Sequence, residues 1–233
     1  MNKIKLYIDG PNLEELKNLN HNEIDGYTFN PSLFKKNGAT NYINHSKEIL
    51  NLCKNKPVSL EVIADTEHEM IEQAEMLNDL GDNIFIKIPI CYTNGDTTEK
   101  VISSLINKNF KLNITAIFLI EQIENLIKII KDQDNLILSV FVGRIFDAGK
   151  DGENIMKKIN ELVHNKSSCK TLWASTRMVF DLIKAQRIGT DIITMQFDQI
   201  KKTKKFNYDL KQYSMDTVKQ FFDDAKSSGF EIK

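Results

Sequence analysis

Short apolar runs of strand character, each followed by residues at helical spacing, recur along this chain, and that alternation restricts the fold more than any other feature. Ile4 to Ile8 ends at Asp9-Gly10-Pro11-Asn12 and gives way to a helical pattern from Leu13 to Leu19. Tyr27 to Phe29 is a weaker run closed by Asn30-Pro31-Ser32, with Ile43, Ile49, Leu50 and Cys53 after it at helical spacing. Val58 to Ala64 precedes Asp65-Thr66 with Glu69, a capping-box start for a helix bearing Met70, Ile71, Ala74, Leu77 and Leu80. Asp82 to Ile90 and Lys111 to Ala116 are the fourth and fifth strands; Ile102, Leu105 and Ile106, then Phe118 to Ile130, mark their helices. Leu136 to Val142 leads into Gly143-Arg144 and a loop with Asp147, Gly149 and Gly152, before a helix with Ile155, Met156, Ile159, Leu162 and Val163. Lys170 to Ala174 has a helix carrying Met178, Val179, Leu182 and Ile183, and Asp191 to Met195 follows the helix stop at Gly189.

Strands alternating with helices over short connections imply a parallel sheet. Eight such units closing on themselves make an α/β fold of the (β/α)8 TIM-barrel type, compact against its typical length of about 250 residues. A doubly wound open sheet is the alternative. An additional C-terminal helix, about residues 214–228 with Val218, Phe221, Phe222 and Ala225 on one face, lies outside the repeat and must bury that face somewhere. No linker or change of composition breaks residues 1–233, so one domain is expected.

Composition narrows the partners. A formal net charge of -1 gives no general electrostatic footprint for nucleic acid or an acidic membrane. The N-terminal apolar run is too short for a signal peptide, and no run approaches the roughly 18 residues of a membrane span. Cys53, Cys91 and Cys169 are widely spaced without a Cys-x-x-Cys pair, which favours a reducing, cytoplasmic setting. His21, His45, His68 and His164 lack ligand spacing, and no EF-hand, zinc or P-loop pattern occurs, so neither a metal nor a nucleotide cofactor is expected. Lys201-Lys202 and Lys204-Lys205 are read as a solvated face.

The fourth strand contains an anomaly. Ile84, Ile86, Ile88 and Ile90 suit a strand buried on both faces, yet Lys87 sits among them. Removing an ammonium from water costs several kcal/mol unless the group is neutralised, and a neutral lysine amine is a nucleophile suited to Schiff-base chemistry with a carbonyl. A strand-end lysine snorkelling to solvent is the ordinary alternative. Side chains two apart share a face. With the isoleucines turned to the helix layer, Phe85, Lys87 and Pro89 turn inward. The same parity groups Thr28 with Asn30, Ser59 with Glu61, Asn113 with Thr115 and Ser139 with Phe141; Asp9 lies opposite Ile8, and Ser175 follows the seventh strand. These groups lie near the C-terminal strand ends, where barrel active sites are built. Such a rim supports carbonyl condensation and cleavage, with Lys87 as nucleophile and Asp9 and Glu61 as the inward acids. Arg144 and Arg177, at adjacent strand ends, would bind a phosphate bidentately.

The residues resemble the transaldolase family of class I aldolases. Matching stretches are Ile8-Asp9, Thr28-Phe29-Asn30-Pro31-Ser32-Leu33, Ser59-Leu60-Glu61-Val62, Ile86-Lys87-Ile88-Pro89, Asn113-Ile114-Thr115, Ser139-Val140-Phe141-Val142-Gly143-Arg144 and Ala174-Ser175-Thr176-Arg177, in family order over almost the whole chain. The resemblance implies a TIM barrel in which Lys87 forms the Schiff base, Glu61 with Thr115 holds the catalytic water and Asp9 is the acid/base for carbon-carbon cleavage. It implies that Asn30, Asn113 and Ser139, on the rim shared with Thr28 and Phe141, bind a dihydroxyacetone unit, with Arg144, Ser175 and Arg177 on the phosphate. The expected activity is transfer of that unit between sugar phosphates, as in the non-oxidative pentose phosphate pathway. A fructose-6-phosphate aldolase-like enzyme and a catalytically impaired sugar-phosphate binder are the alternatives. Glu61 and Phe141 resemble transaldolases, because the aldolases have Gln and Tyr at those places. The short length and extra helix resemble small transaldolases, which implies a homo-oligomer, a pentamer or decamer assembled through that helix. Gly10-Pro11, Phe29 and Leu119 depart from the family pattern, and the loop from Cys91 to Gly95 is longer than usual.

Overall fold

The computed structural model describes residues 3–130 and 135–232. Eight strands, β1 (Lys5–Asp9), β2 (Gly26–Thr28), β3 (Val58–Glu61), β4 (Ile84–Pro89), β5 (Leu112–Ile117), β6 (Leu136–Val140), β7 (Lys170–Trp173) and β8 (Ile192–Met195), form a closed parallel barrel in chain order. β8 pairs back onto β1, with Lys5 opposite Ile192 and Ile8 opposite Met195, so the open-sheet alternative does not apply. The intervening helices are α1 (Leu13–Asn18), α2 (Pro31–Lys36), α3 (Tyr42–Leu52), α4 (Glu67–Asn78), α5 (Glu99–Asn107), α6 (Ile120–Ile129), α7 (Val142–Asp147), α8 (Gly152–Lys166) and α9 (Asp181–Arg187), followed by α10 (Phe197–Thr203) and α11 (Leu210–Ser228).

Strand parity separates two apolar regions. Ile8, Leu60, Ile86, Ile88, Ile114 and Leu138 turn outward and pack with helix residues such as Leu16, Ile49, Met70, Leu105, Ile123 and Met156. Tyr7, Ile137, Leu172 and Ile192, with the partly buried Phe85, form a separate cluster inside the barrel. Full burial of one such large side chain contributes about 1.5–3 kcal/mol. The inner cluster closes one end of the barrel, so the polar inner residues lie at the C-terminal strand ends.

Several boundaries differ from the sequence expectation for local reasons. The sixth strand stops at Val140, and Val142 to Asp147 form α7 rather than strand end and loop; Phe141, at φ -84° and ψ 60°, turns the chain between them. Arg144 is therefore on a helix, not at the end of a strand. Met178 and Val179 precede α9 instead of belonging to it, because the buried Asp181 carboxylate accepts the Arg177 and Met178 N–H groups, each at 2.9 Å, and holds that segment as a loop. Phe118 and Leu119 likewise precede α6. Asn30-Pro31-Ser32 closes β2 but also opens α2, with the Asn30 side chain capping the Leu33 N–H at 2.9 Å and Pro31 in the first turn.

The chain divides into two compact units, Met1–Ile200 and Lys201–Lys233. The first carries the barrel. In the second, α11 starts at Leu210, earlier than expected, because the Asp209 side chain caps the Gln212 N–H at 2.8 Å. It ends at Gly229, and none of its residues is buried. Val218, Phe221 and Phe222 are each about two-thirds exposed. Among the described residues no helix is long and apolar enough to cross a membrane.

Candidate active site

The strand register places the polar inner residues side by side at the barrel mouth. Asp9 pairs with Thr28, Thr28 with Ser59, Glu61 with Lys87 and Lys87 with Asn113. One cavity at the mouth is lined by Asp9, Thr28, Asn30, Lys87, Thr115, Ser139, Phe141, Arg144, Ser175 and Arg177 among others. Ten of the twelve expected site residues thus line it, and the remaining two, Glu61 and Asn113, adjoin Lys87 in the sheet.

Lys87 is 5% exposed and does not snorkel to solvent. Its Nζ lies 2.8 Å from Glu61 Oε2 and donates to the Phe29 carbonyl at 3.1 Å. Such a pair repays its desolvation only when the remaining polar capacity is also used, and the Phe29 carbonyl supplies that second partner. Asp9 lies at the mouth, and its Oδ1 accepts from Thr28 Oγ1 at 2.8 Å. Burial among protein atoms raises the Asp9 pKa, against the opposing attraction of Lys87 and the Thr28 hydrogen bond; nearby Glu61 adds to the rise. Its surface is still partly exposed because the mouth is open on one side. The Thr28 hydroxyl also meets Thr194 Oγ1 at 2.6 Å. Because the Thr28 hydroxyl hydrogen is donated to Asp9, Thr194 is the donor to Thr28.

Across the mouth, Asn113 Nδ2 donates to Ser59 Oγ at 3.0 Å, and Ser139 Oγ donates to Asn113 Oδ1 at 2.6 Å. Thr115 is buried, and its hydroxyl has no protein hydrogen-bond partner among the described residues. Ala116 follows it at φ 59°, where the β5–β6 register shifts, so a bulge aims this end of the strand. Asn30 faces the cavity, but its Oδ1 is used by the α2 cap, which leaves the amide nitrogen for a ligand.

The cationic side is built differently. Arg144 lies over the Phe141 ring at 5.3 Å, and Phe118 packs on Phe141 with centroids 5.8 Å apart. Arg177 Nε and Nη2 hold the Asp147 carboxylate at 3.0 and 2.5 Å, which depresses the Asp147 pKa and raises that of Arg177. Ser175 has φ 63°, and a Cβ on Gly143 would lie 1.6 Å from its carbonyl oxygen. Only a glycine lets these two segments approach so closely. Gly10 has a left-handed φ of 56°, and a Cβ there would meet the Leu33 side chain at 2.5 Å, a contact that a shift of that side chain could relieve.

Sequence reasoning missed Thr194, Asp147 and the Phe29 carbonyl as parts of this site. The parity that found Thr28 would also have found Thr194 in Ile192-Ile193-Thr194-Met195. Asp147 and the Phe29 carbonyl had no such signal, because an ion pair between the end of α7 and a distant loop and a backbone acceptor do not follow side-chain periodicity.

A family model described as Transaldolase/Fructose-6-phosphate aldolase matches residues 6–233. The chain belongs to the transaldolase/fructose-6-phosphate aldolase family. A probable transaldolase of Thermoplasma volcanium is 33% identical over 202 residues, covering 85% of this chain and 86% of the relative. Another from Methanococcus vannielii is 33% identical over 211 residues, covering 89% and 92%, and one from Ruegeria sp. is 31% identical over 231 residues, covering 98% and 100%. Among solved structures, 3-hexulose-6-phosphate synthase from Salmonella typhimurium superposes with a TM-score of 0.57 at 15% identity, over 84% of this chain and 89% of that one. That likeness bears on the barrel fold alone, and family membership rests on the sequence matches.

Proposed function

We propose that this family member is a transaldolase that carries a dihydroxyacetone unit from a ketose phosphate, sedoheptulose 7-phosphate or fructose 6-phosphate, to an aldose phosphate through a Schiff base on Lys87. The observation that carries this reading is the inward Lys87 Nζ, 2.8 Å from the Glu61 carboxylate in a mouth that also holds Asp9 and two arginines. Neutral Lys87 Nζ adds to the ketone carbon, and Glu61 exchanges protons through a water shared with Thr115 as the carbinolamine loses water to become an iminium. Asp9 then takes the proton of the hydroxyl on the far carbon of the bond to be broken, the carbon that becomes the aldehyde. That bond's electron pair moves toward the iminium nitrogen, giving an enamine and a free aldehyde. The enamine adds to the acceptor aldehyde as Asp9 returns the proton, and water releases the new ketose. Asn113, Ser139 and Asn30 are the partners for the donor's hydroxyls, Thr28 orients Asp9, and Phe141 supports Arg144. Arg144, Arg177 and Ser175 receive the phosphate.

The reaction uses the lysine as its electron sink and assigns no step to a metal or cofactor. The apolar face of α11, which has no buried residue, supports a homo-oligomer, and a pentamer or decamer is the expected mass by light scattering. The chemistry and the charge balance both fit a cytoplasmic enzyme acting on sugar phosphates.

Borohydride reduction with fructose 6-phosphate should inactivate the protein and add the three-carbon fragment's mass to Lys87. An adduct at another residue, or none, would overturn the mechanism. A coupled assay should form erythrose 4-phosphate from sedoheptulose 7-phosphate and glyceraldehyde 3-phosphate. Cleavage proceeding fully without an aldehyde acceptor would instead identify a fructose-6-phosphate aldolase-like activity, and binding without an adduct would identify a non-catalytic homologue.

A further inference from the structure

The β2–β3 ladder ends one rung early, and a side chain from α3 occupies the gap. Phe29 N–H donates to the Ser59 carbonyl at 2.9 Å. In a parallel ladder the next rung would run from the Glu61 N–H to the Phe29 carbonyl. Instead the Glu61 N–H donates to Tyr42 Oη at 3.0 Å, and the same hydroxyl donates to the Glu61 carbonyl at 2.8 Å. The Phe29 carbonyl accepts from Lys87 Nζ at 3.1 Å. The chain leaves β3 at this point because Asn30 caps α2 and Pro31 has no N–H to give.

We propose that Tyr42 is a positioning residue for the lysine chemistry: its hydroxyl replaces the missing rung and so leaves the Phe29 carbonyl as the second anchor of Lys87 Nζ. This inference rests on the reading of Lys87 as the Schiff-base lysine. A neutral lysine amine has two N–H bonds and one lone pair. Glu61 Oε2 and the Phe29 carbonyl can accept the two N–H groups, which directs the lone pair toward the remaining side, where Lys87 lines the mouth. Tyr42 also holds the backbone of Glu61 on both polar atoms and thereby fixes the root of the carboxylate.

The tyrosine is itself well placed. It opens α3 after the Asn41 cap, its ring lies 4.6 Å from that of Phe34, and Phe34 packs in turn on Phe29. Burial raises the phenol's pKa, so it remains protonated and able to donate. Without the hydroxyl, the Glu61 N–H has an unmet demand, and the Phe29 carbonyl is the partner that a regular parallel ladder would give it. Closing that rung would take the carbonyl from Lys87.

The test compares Tyr42→Phe with Phe34→Leu, which changes the ring packing but keeps the hydroxyl. For Tyr42→Phe, kcat should fall by about 10- to 100-fold with KM within roughly twofold, and the rate of borohydride-trapped adduct formation at Lys87 should fall in step. Phe34→Leu should keep kcat within about threefold even where it lowers the melting temperature as much. If Tyr42→Phe does not fold, 3,5-difluorotyrosine placed at position 42 keeps the packing while acidifying the phenol. Its kcat should decline at least about one pH unit below any alkaline decline of the wild type, because an ionised phenol cannot donate. A Tyr42→Phe enzyme with wild-type kcat overturns the proposal, as does an equal kcat loss in both variants at equal loss of stability, or an unchanged pH profile with difluorotyrosine. Wild-type protein that forms no Lys87 adduct overturns the lysine reading itself, a separate and recognisable outcome.

Discussion

The two sides of the barrel mouth are built by different means. On the β3–β5 side, Lys87, Glu61, Asn113 and Thr115 stand on strands, and their positions follow from the sheet register. On the β6–β7 side, Arg144 stands on the short helix α7, while Ser175 and Arg177 stand on a loop held by φ 63° at Ser175 and by the Asp181 carboxylate. The first side is buried: Lys87, Asn113 and Thr115 are each at most 5% exposed. The second is open to solvent, with the Arg177 and Asp147 side chains 43% and 53% exposed. A reacting amine needs fixed geometry and low dielectric, whereas a phosphate that enters and leaves needs reachable charge. The division also predicts different kinetic signatures, because strand residues would act on kcat and loop residues on KM.

The largest expected effect breaks the strand side. Lys87→Met should lower kcat by about 10³-fold or more, since it removes the nucleophile, while circular dichroism remains that of a folded barrel. Residual turnover near the wild-type level would rule out the covalent route. The next effect concerns the loop side. Arg144→Ala and Arg177→Ala should each raise KM for a phosphorylated donor by about 10- to 100-fold, the equivalent of a charge-assisted hydrogen bond worth 1.5–3 kcal/mol. Their activity on unphosphorylated fructose should change much less. Equal losses on both donors would show that the arginines support the fold or the chemistry rather than the phosphate. Raising the salt concentration should increase KM for the phosphorylated donor in the wild type, because exposed charges are screened.

Gly143→Ala sharpens the comparison from the backbone. A methyl group cannot stand 1.6 Å from the Ser175 carbonyl, so α7 or the Ser175 segment must shift. Overpacking of this kind costs about 1–3 kcal/mol. Denaturant unfolding should show that loss, and KM should rise more than kcat falls because the displaced residues lie on the arginine side. A kcat loss with unchanged KM would show that the two sides are mechanically coupled.

How far each side was legible in the sequence follows from the same physics. Parity is a local property of a strand, so the four isoleucines around Lys87 gave away its inward direction, and closure of the barrel then brought Asp9, Glu61, Asn113 and Ser139 beside it. Arg144 was recognisable only within Phe141-Val142-Gly143-Arg144, and its helix was not, since six residues are too few to show a helical period. Arg177 was identified, but its pairing with Asp147, thirty residues earlier, was not, because ion pairing across loops leaves no periodic trace. Tyr42 was passed over for the opposite reason: in a helical pattern an aromatic residue reads as core, and only the unfilled rung of β2 shows a use for its hydroxyl.

The last prediction concerns the stability contribution of Asp9, which lies between the two sides. Burial raises its pKa above the usual 3.8, so the folded state holds this proton more tightly than the unfolded chain does. The corresponding stability is fully present below the unfolded pKa and is lost as pH rises through the folded one. At neutral pH the wild type therefore bears the cost of a buried charge, reduced by Lys87 and Thr28 but not abolished. Asp9→Asn removes that cost, and Thr28 can still donate to the amide oxygen. The variant should melt at a higher temperature than wild type at pH 7. The gap should narrow below the ordinary carboxylate range, where wild-type Asp9 is protonated in both states. Transfer activity should nevertheless be lost, because an amide cannot take the hydroxyl proton during bond cleavage. A gap that stayed constant with pH would assign the stabilisation to something other than the ionisation of Asp9, and a lower melting temperature would mean that the Lys87 attraction outweighs desolvation at this position.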